Sequence, residues 1–142
     1  MERVLIAAAI VVVAVAVAVI ARRRRPDPPT QPTGAVPAQL DRSDFARPDA
    51  DWLVAVFTSA TCETCADVAR KADVLASDDV AVTEIEYQAH KDVHARYAID
   101  AVPILVIADR AGVVRRSFVG PVSATDLWAA VAAARDEDQP LR

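Results

Sequence analysis

Cys62 and Cys65 are the only cysteines in a chain of 142 residues, and just two residues, Glu63 and Thr64, separate them. Paired thiols at this spacing can exchange disulfides with a second dithiol, or they can hold a soft or borderline metal ion. A stapled framework of the small secreted kind is excluded, because one local pair closes no large loop. The nearest further metal ligands are His90 and His94, which give Cys62-x2-Cys65-x24-His90-x3-His94. A gap of 24 residues is well beyond the ~12 to 15 of a zinc finger. The two histidines also lie on an expected helix, a whole strand away from the cysteines. No metal is therefore expected, and both histidines are read as solvated surface groups. Other nucleophile chemistries lack their motifs: there is no Gly-x-Ser-x-Gly, no phosphate-cradling glycine loop and no His-Glu metalloprotease signature.

The elements around the pair give it a position. Trp52 to Phe57 (WLVAVF) is an uninterrupted apolar run of strand length, suited to a central parallel strand buried on both faces. From Cys62 onward the period changes. Cys65, Val68, Ala69, Ala72, Leu75 and Ala76 fall on one stripe, with Asp67, Arg70, Lys71 and Asp73 off it, which predicts an amphipathic helix. Ser59 and Thr61 are candidate caps for its start. Val80 to Glu86 predicts a second strand, His90 to Tyr97 a short helix, and Ile104 to Ala108 a third strand. Asp109-Arg110-Ala111-Gly112 then turns a hairpin into Val113 to Val119. Ser123 and Asp126 have the spacing of a capping box that opens a last helix with Leu127, Ala130, Val131 and Ala134 inward. Trp52 and Trp128 are expected to cover the core. Alternating strands and helices followed by a hairpin predict an α/β fold with a mixed central sheet and helices on both faces.

A Cys-x-x-Cys at the junction of a buried strand and a helix puts the first cysteine at the helix amino terminus. Unpaired N–H groups there favour an anion, so the Cys62 thiolate is expected to be stabilised. Cys65, one turn on, faces inward and is more shielded, as a resolving thiol needs to be. Glu63 opposes thiolate formation and offsets part of this effect.

The first forty residues differ from the rest. Val4 to Ala21 is a run of eighteen apolar residues without a charge, roughly 27 Å long as a helix and close to a bilayer core. It is read as a single transmembrane anchor; a cleavable signal peptide is disfavoured by the length of the run and by Arg22 to Arg25 where a cleavage site would stand. That arginine cluster against the lone Arg3 places the following domain on the cytoplasmic side of the cell membrane, with an extracytoplasmic domain as the alternative. Pro26 to Pro37 holds five prolines and reads as an extended stalk. The expected organisation is an anchor over 1–25, a linker over 26–40 and one domain over 41–142. From Asp41 on there are 18 acidic and 11 basic residues, a net of −7, which argues against a nucleic acid partner.

Taken together, the strand ending in Phe57, the run Thr58-Ser59-Ala60-Thr61-Cys62-Glu63-Thr64-Cys65, the later stretch Tyr97-Ala98-Ile99-Asp100-Ala101-Val102-Pro103-Ile104 and Phe118-Val119-Gly120 resemble the thioredoxin superfamily. The likeness spans roughly Asp41 to Ala134 and implies a thioredoxin-like fold. It implies thiol–disulfide exchange with protein dithiols or disulfides, an upstream electron donor or acceptor, and no cofactor beyond a redox-active Cys62–Cys65 disulfide. Residue by residue, Pro103 would be the family's cis-proline and Val102 the residue whose backbone pairs with substrate. Thr61 takes the place of the family's aromatic before the first cysteine and would also face substrate. Glu63-Thr64 replaces a Gly-Pro, and the positions of the family's buried aspartate and its lysine partner read Val56 and Glu84. Glu84 is therefore a candidate proton-transfer group. These departures keep two alternatives open, a non-catalytic binding module and a carrier of soft metal between thiolates.

Overall fold

The computed structural model describes Met1, residues 12–17 and residues 34–138. The chain divides into two compact units, Met1–Gln31 and Pro32–Arg142. In the first unit residues 12–17 are helical and exposed. The rest of the expected anchor, its arginine flank and most of the linker lie outside the described residues. Among the described residues no helix is long and apolar enough to cross a membrane.

The second unit is built on four strands, β1 (Trp52–Thr58), β2 (Val80–Glu86), β3 (Ile104–Asp109) and β4 (Val114–Val119). They lie in the order β2-β1-β3-β4. β1 pairs parallel with β2 and antiparallel with β3, and β3 pairs antiparallel with β4. The mixed sheet expected from the sequence is therefore present, with the apolar run as one of its two central strands. Every residue of β1 is buried, because both faces of the sheet are covered.

Alternate residues of β1 serve two separate cores. Trp52, Val54 and Val56 pack with Val68 and Ala72 of helix α1 (Cys65–Asp73) and with Leu127, Val131 and Ala134 of helix α3 (Ala124–Asp138). Leu53, Ala55 and Phe57 pack with Val93 of the short helix α2 (Lys91–Arg96) and with Leu40 and Phe45 from the segment before β1. Burial of each valine, leucine or phenylalanine among these is worth about 1.5–3 kcal/mol over leaving it exposed. The period-two pattern thus fixes which helix covers which face.

Ser123 closes the expected capping box at α3: its Oγ accepts from Asp126 N at 3.1 Å and donates to Asp126 Oδ2 at 2.7 Å. Other expectations are corrected. Trp128 is 44% exposed, its Nε1 donating to the Lys71 carbonyl at 3.3 Å, so it lies on the outside of α3 rather than in the core. The folded unit also extends upstream of Asp41. Leu40 is buried and its N–H donates to the Gly112 carbonyl at 2.8 Å, while Gln39 bridges Val113 antiparallel. The β3–β4 turn supplies free backbone partners, and Leu40 brings apolar surface that the sheet can bury.

Candidate functional site: a disulfide at the end of the first strand

β1 ends at Thr58, and the chain turns at once, with Cys62 N–H donating to the Ser59 carbonyl at 3.0 Å. Cys62 and Cys65 form a disulfide across a Cα separation of 5.4 Å. Cys65 is the first residue of α1 and only 2% exposed, whereas Cys62 is half-buried and reachable from solvent. The expected contrast between an accessible and a shielded sulfur is present.

The helix starts later than the sequence predicts. Its N-cap is Thr64, and its last residue is Asp73, so Cys62 stands in the turn ahead of the helix. Neither Ser59 nor Thr61 caps it. Their hydroxyls lie 3.2 Å from each other instead. Thr64 makes no side-chain capping bond either. The three-residue bridge from Cys62 to Cys65 takes up these residues in a turn, leaving the hydroxyls ahead of the cap out of reach of the first helical N–H groups.

The register of β1 with β3 brings the second motif to the same end of the sheet. Phe57 pairs with Ile104, so Pro103 stands beside the end of β1 from which the cysteine loop leaves. The Val102–Pro103 peptide is cis, as the resemblance implied. The Pro103 carbonyl accepts from Gly120 N at 2.8 Å, which ties this loop to the end of β4. Thr61 is exposed in the turn before Cys62. Beside the Val102 loop lies a cleft of about 360 Å³ lined by Ile99, Asp100, Ala101 and Val102, by Tyr87 and His94, and by Ser59 at the start of the cysteine loop.

Glu84 pairs in register with Val56, as the reciprocal change in sequence required. Its carboxylate is exposed and accepts from Thr58 Oγ1 at 2.8 Å, and Thr58 itself is only 1% exposed. Thus a carboxylate reaches the last residue of β1 through a buried hydroxyl.

Two residues that hold the surroundings of the site have no such role in the sequence-based expectations. Glu86, at the end of β2, accepts from Ala60 N at 3.3 Å and from Ala89 N at 3.0 Å. It therefore clips the cysteine loop to the β2–α2 turn. Backbone N–H groups of Gln88 and Ala89 hold its carboxyl below the ordinary glutamate value against a smaller desolvation effect, and the Ala60 N–H adds a lesser contribution in the same direction. His94 is the second, and here the expectation of a solvated histidine is corrected. It is 2% exposed, and Nε2 donates to the Ile85 carbonyl at 2.9 Å. Its ring meets Phe57 and Tyr87 edge-on at 5.3 and 5.2 Å. A histidine at an inward helical position is buried when a strand carbonyl can accept its N–H. Among the described residues no group of three or more His, Cys, Asp or Glu side chains is placed to hold a metal ion.

No protein-family model matches the sequence, and no curated protein matches it. Solved structures do match in shape. A mutant thioredoxin from Halobacterium salinarum NRC-1 superposes with a TM-score of 0.56 at 19% identity, covering 81% of this chain and 100% of that one. Fasciola hepatica thioredoxin gives a TM-score of 0.53 at 21% identity over 61% of this chain and 84% of its own. A structure described as a malarial protein gives 0.54 at 14% identity, covering 59% and 97%. The chain therefore has the thioredoxin-like fold, with a Cys-x-x-Cys disulfide where its first strand passes into its first long helix.

Proposed function

We propose that this protein is a thiol–disulfide oxidoreductase that exchanges disulfides with protein partners through Cys62 and Cys65. The observation that carries the reading is the pairing of a reachable Cys62 with a shielded Cys65 in one disulfide, beside a cis Val102–Pro103 loop at the same end of the sheet. In the reducing direction the Cys62 thiolate attacks one sulfur of a substrate disulfide, and the other sulfur leaves as a thiolate that takes up a proton. Cys65, deprotonated, then attacks the Cys62 sulfur, releases the second substrate thiolate and re-forms the Cys62–Cys65 disulfide. A partner dithiol or other upstream donor returns two electrons for the next cycle. Run in reverse, the same steps oxidise a partner. No cofactor enters the scheme.

Val102 is proposed to offer its backbone beside Pro103 to an extended substrate chain, and Thr61, exposed in the turn before Cys62, to meet the same chain. The reading is tested by reduction of insulin disulfides with dithiothreitol as electron source. Catalysis that disappears in Cys62→Ser supports it, and an inactive wild-type chain leaves a binding module or a soft-metal carrier in its place.

Glu84 is proposed to move the proton that Cys65 must lose, acting through Thr58. The bond from Thr58 Oγ1 to Glu84 motivates this assignment. In Glu84→Gln the reduction rate is expected to fall and its profile over about pH 6 to 9 to change shape. An unchanged profile removes Glu84 from the mechanism and leaves it a solvated strand-end carboxylate.

The amino-terminal apolar segment is proposed to hold the protein at the cell membrane as a single span with the domain on the cytoplasmic side. The bias of Arg22 to Arg25 over Arg3 supports that orientation. There the domain would meet a reducing pool and act as a reductase. After reduction, a membrane-impermeant thiol reagent applied to intact cells is expected to leave Cys62 unlabelled. Labelling places the domain outside and reopens the oxidising direction.

A further inference from the structure

Thr64 stands at the N-cap of α1, where threonine ordinarily turns its hydroxyl onto an N–H of the first helical turn. Here the hydroxyl makes no such bond. It lies 3.8 Å from Cys62 Sγ, within the longer reach of hydrogen bonds to sulfur. In the disulfide Cys62 Sγ carries no proton, so of the two atoms only Thr64 Oγ1 can donate. A capping hydroxyl has been diverted to the sulfur that faces solvent.

We infer that Thr64 is a positioning residue whose hydroxyl donates to the Cys62 thiolate in the reduced enzyme and so raises the reactivity of this sulfur. The inference deepens the exchange reaction proposed above and rests on it. The acceptor changes character during the cycle. A disulfide sulfur is a weak acceptor, and the 3.8 Å contact fits that. A thiolate carries a full charge, and hydrogen bonds to charged groups are about twice as strong as neutral ones. The bond therefore strengthens on reduction and lowers the proton affinity of Cys62. It works against exposed Glu63 between the two cysteines, whose charge disfavours the thiolate. Since Cys62 stands ahead of the helix rather than in its first turn, the helix dipole contributes less than the sequence predicts. A side-chain donor supplies what the helix end does not.

The test uses the full-length chain in a Cys65→Ser background, so that Cys62 titrates alone, and follows its alkylation by iodoacetamide against pH. Thr64→Val keeps the side-chain shape and removes the donor. Its Cys62 profile is expected to move to higher pH, with the thiolate fraction below the midpoint reduced about threefold to tenfold. Thr64→Ser is expected to restore the wild-type profile. Thermal unfolding of the oxidised proteins with both cysteines present is the second arm. Because the hydroxyl caps nothing, Thr64→Val is expected to leave the oxidised form as stable as Thr64→Ser. An unshifted alkylation profile overturns the inference, and so does a Thr64→Val protein whose oxidised form is destabilised while its profile stays put. Alkylation requires no turnover, so a chain inactive on insulin whose Thr64→Val profile still shifts would overturn the proposed exchange and leave the hydrogen bond standing.

Discussion

In Cys62→Ser, reduction of insulin disulfides is expected to fall to the rate that dithiothreitol supports alone, whereas Cys65→Ser is expected to complete the first attack and then stall as a mixed disulfide. The asymmetry follows from burial. Cys65 is 2% exposed at the start of α1 and cannot meet a protein disulfide without displacing the helix, while Cys62 is reachable in the preceding turn. A serine hydroxyl is a poor nucleophile at neutral pH, so the substitution removes the attacking anion without changing the loop. Cys65→Ser leaves that anion in place and removes the group that resolves the intermediate. The measurement is turbidity of the insulin reaction together with non-reducing electrophoresis of the two variants, which separates covalent adducts. Adducts on Cys62→Ser rather than on Cys65→Ser would exchange the two roles.

Gly112→Ala should destabilise the domain by about 2–5 kcal/mol, and Gly120→Ala by only about 1–2 kcal/mol. Both glycines hold a positive φ, 81° and 89°, so the backbone strain added by a Cβ is similar. Their surroundings differ. A Cβ at Gly112 would stand 2.0 Å from the Leu40 carbonyl oxygen, while at Gly120 no atom lies within 4 Å. The Leu40 N–H also donates to the Gly112 carbonyl, so the segment before β1 cannot retreat without giving up that bond and the burial of Leu40. Against the ~5–15 kcal/mol that holds a domain of this kind together, the larger loss is a substantial fraction. Urea unfolding of the two variants measures the difference, which isolates the close approach from the strain they share. Equal losses would mean that the amino-terminal segment adjusts freely around the turn.

Those two glycines mark what a sequence conceals. Gly112 reads as an ordinary turn residue, and nothing local says that Leu40, far upstream, will lie against it. The same holds for Glu86 and His94. A strand-end glutamate and a helical histidine are indistinguishable in sequence from solvated ones. Their roles come from Ala60 and Ala89 on one side and from the Ile85 carbonyl and the Phe57 ring on the other. Thr64 is a further case, since the periodicity places it inside the helix, and only the turn between the cysteines makes it the N-cap and brings its hydroxyl to Cys62.

What the amino-acid sequence determined by itself was local and periodic: the buried strand from Trp52, the helical stripe from Cys65, the hairpin into β4, the Ser123–Asp126 box and the pair of cysteines between strand and helix. These signals need only neighbours within a turn or a strand. The tertiary structure decided that Cys62 lies ahead of α1 and not in it, that the Phe57–Ile104 register brings the cis Val102–Pro103 loop to the same end of the sheet, and that Leu40 closes over Gly112. Each of these depends on groups distant in the chain competing for the same hydrogen bonds and apolar surface, and that competition is resolved only when the sheet assembles.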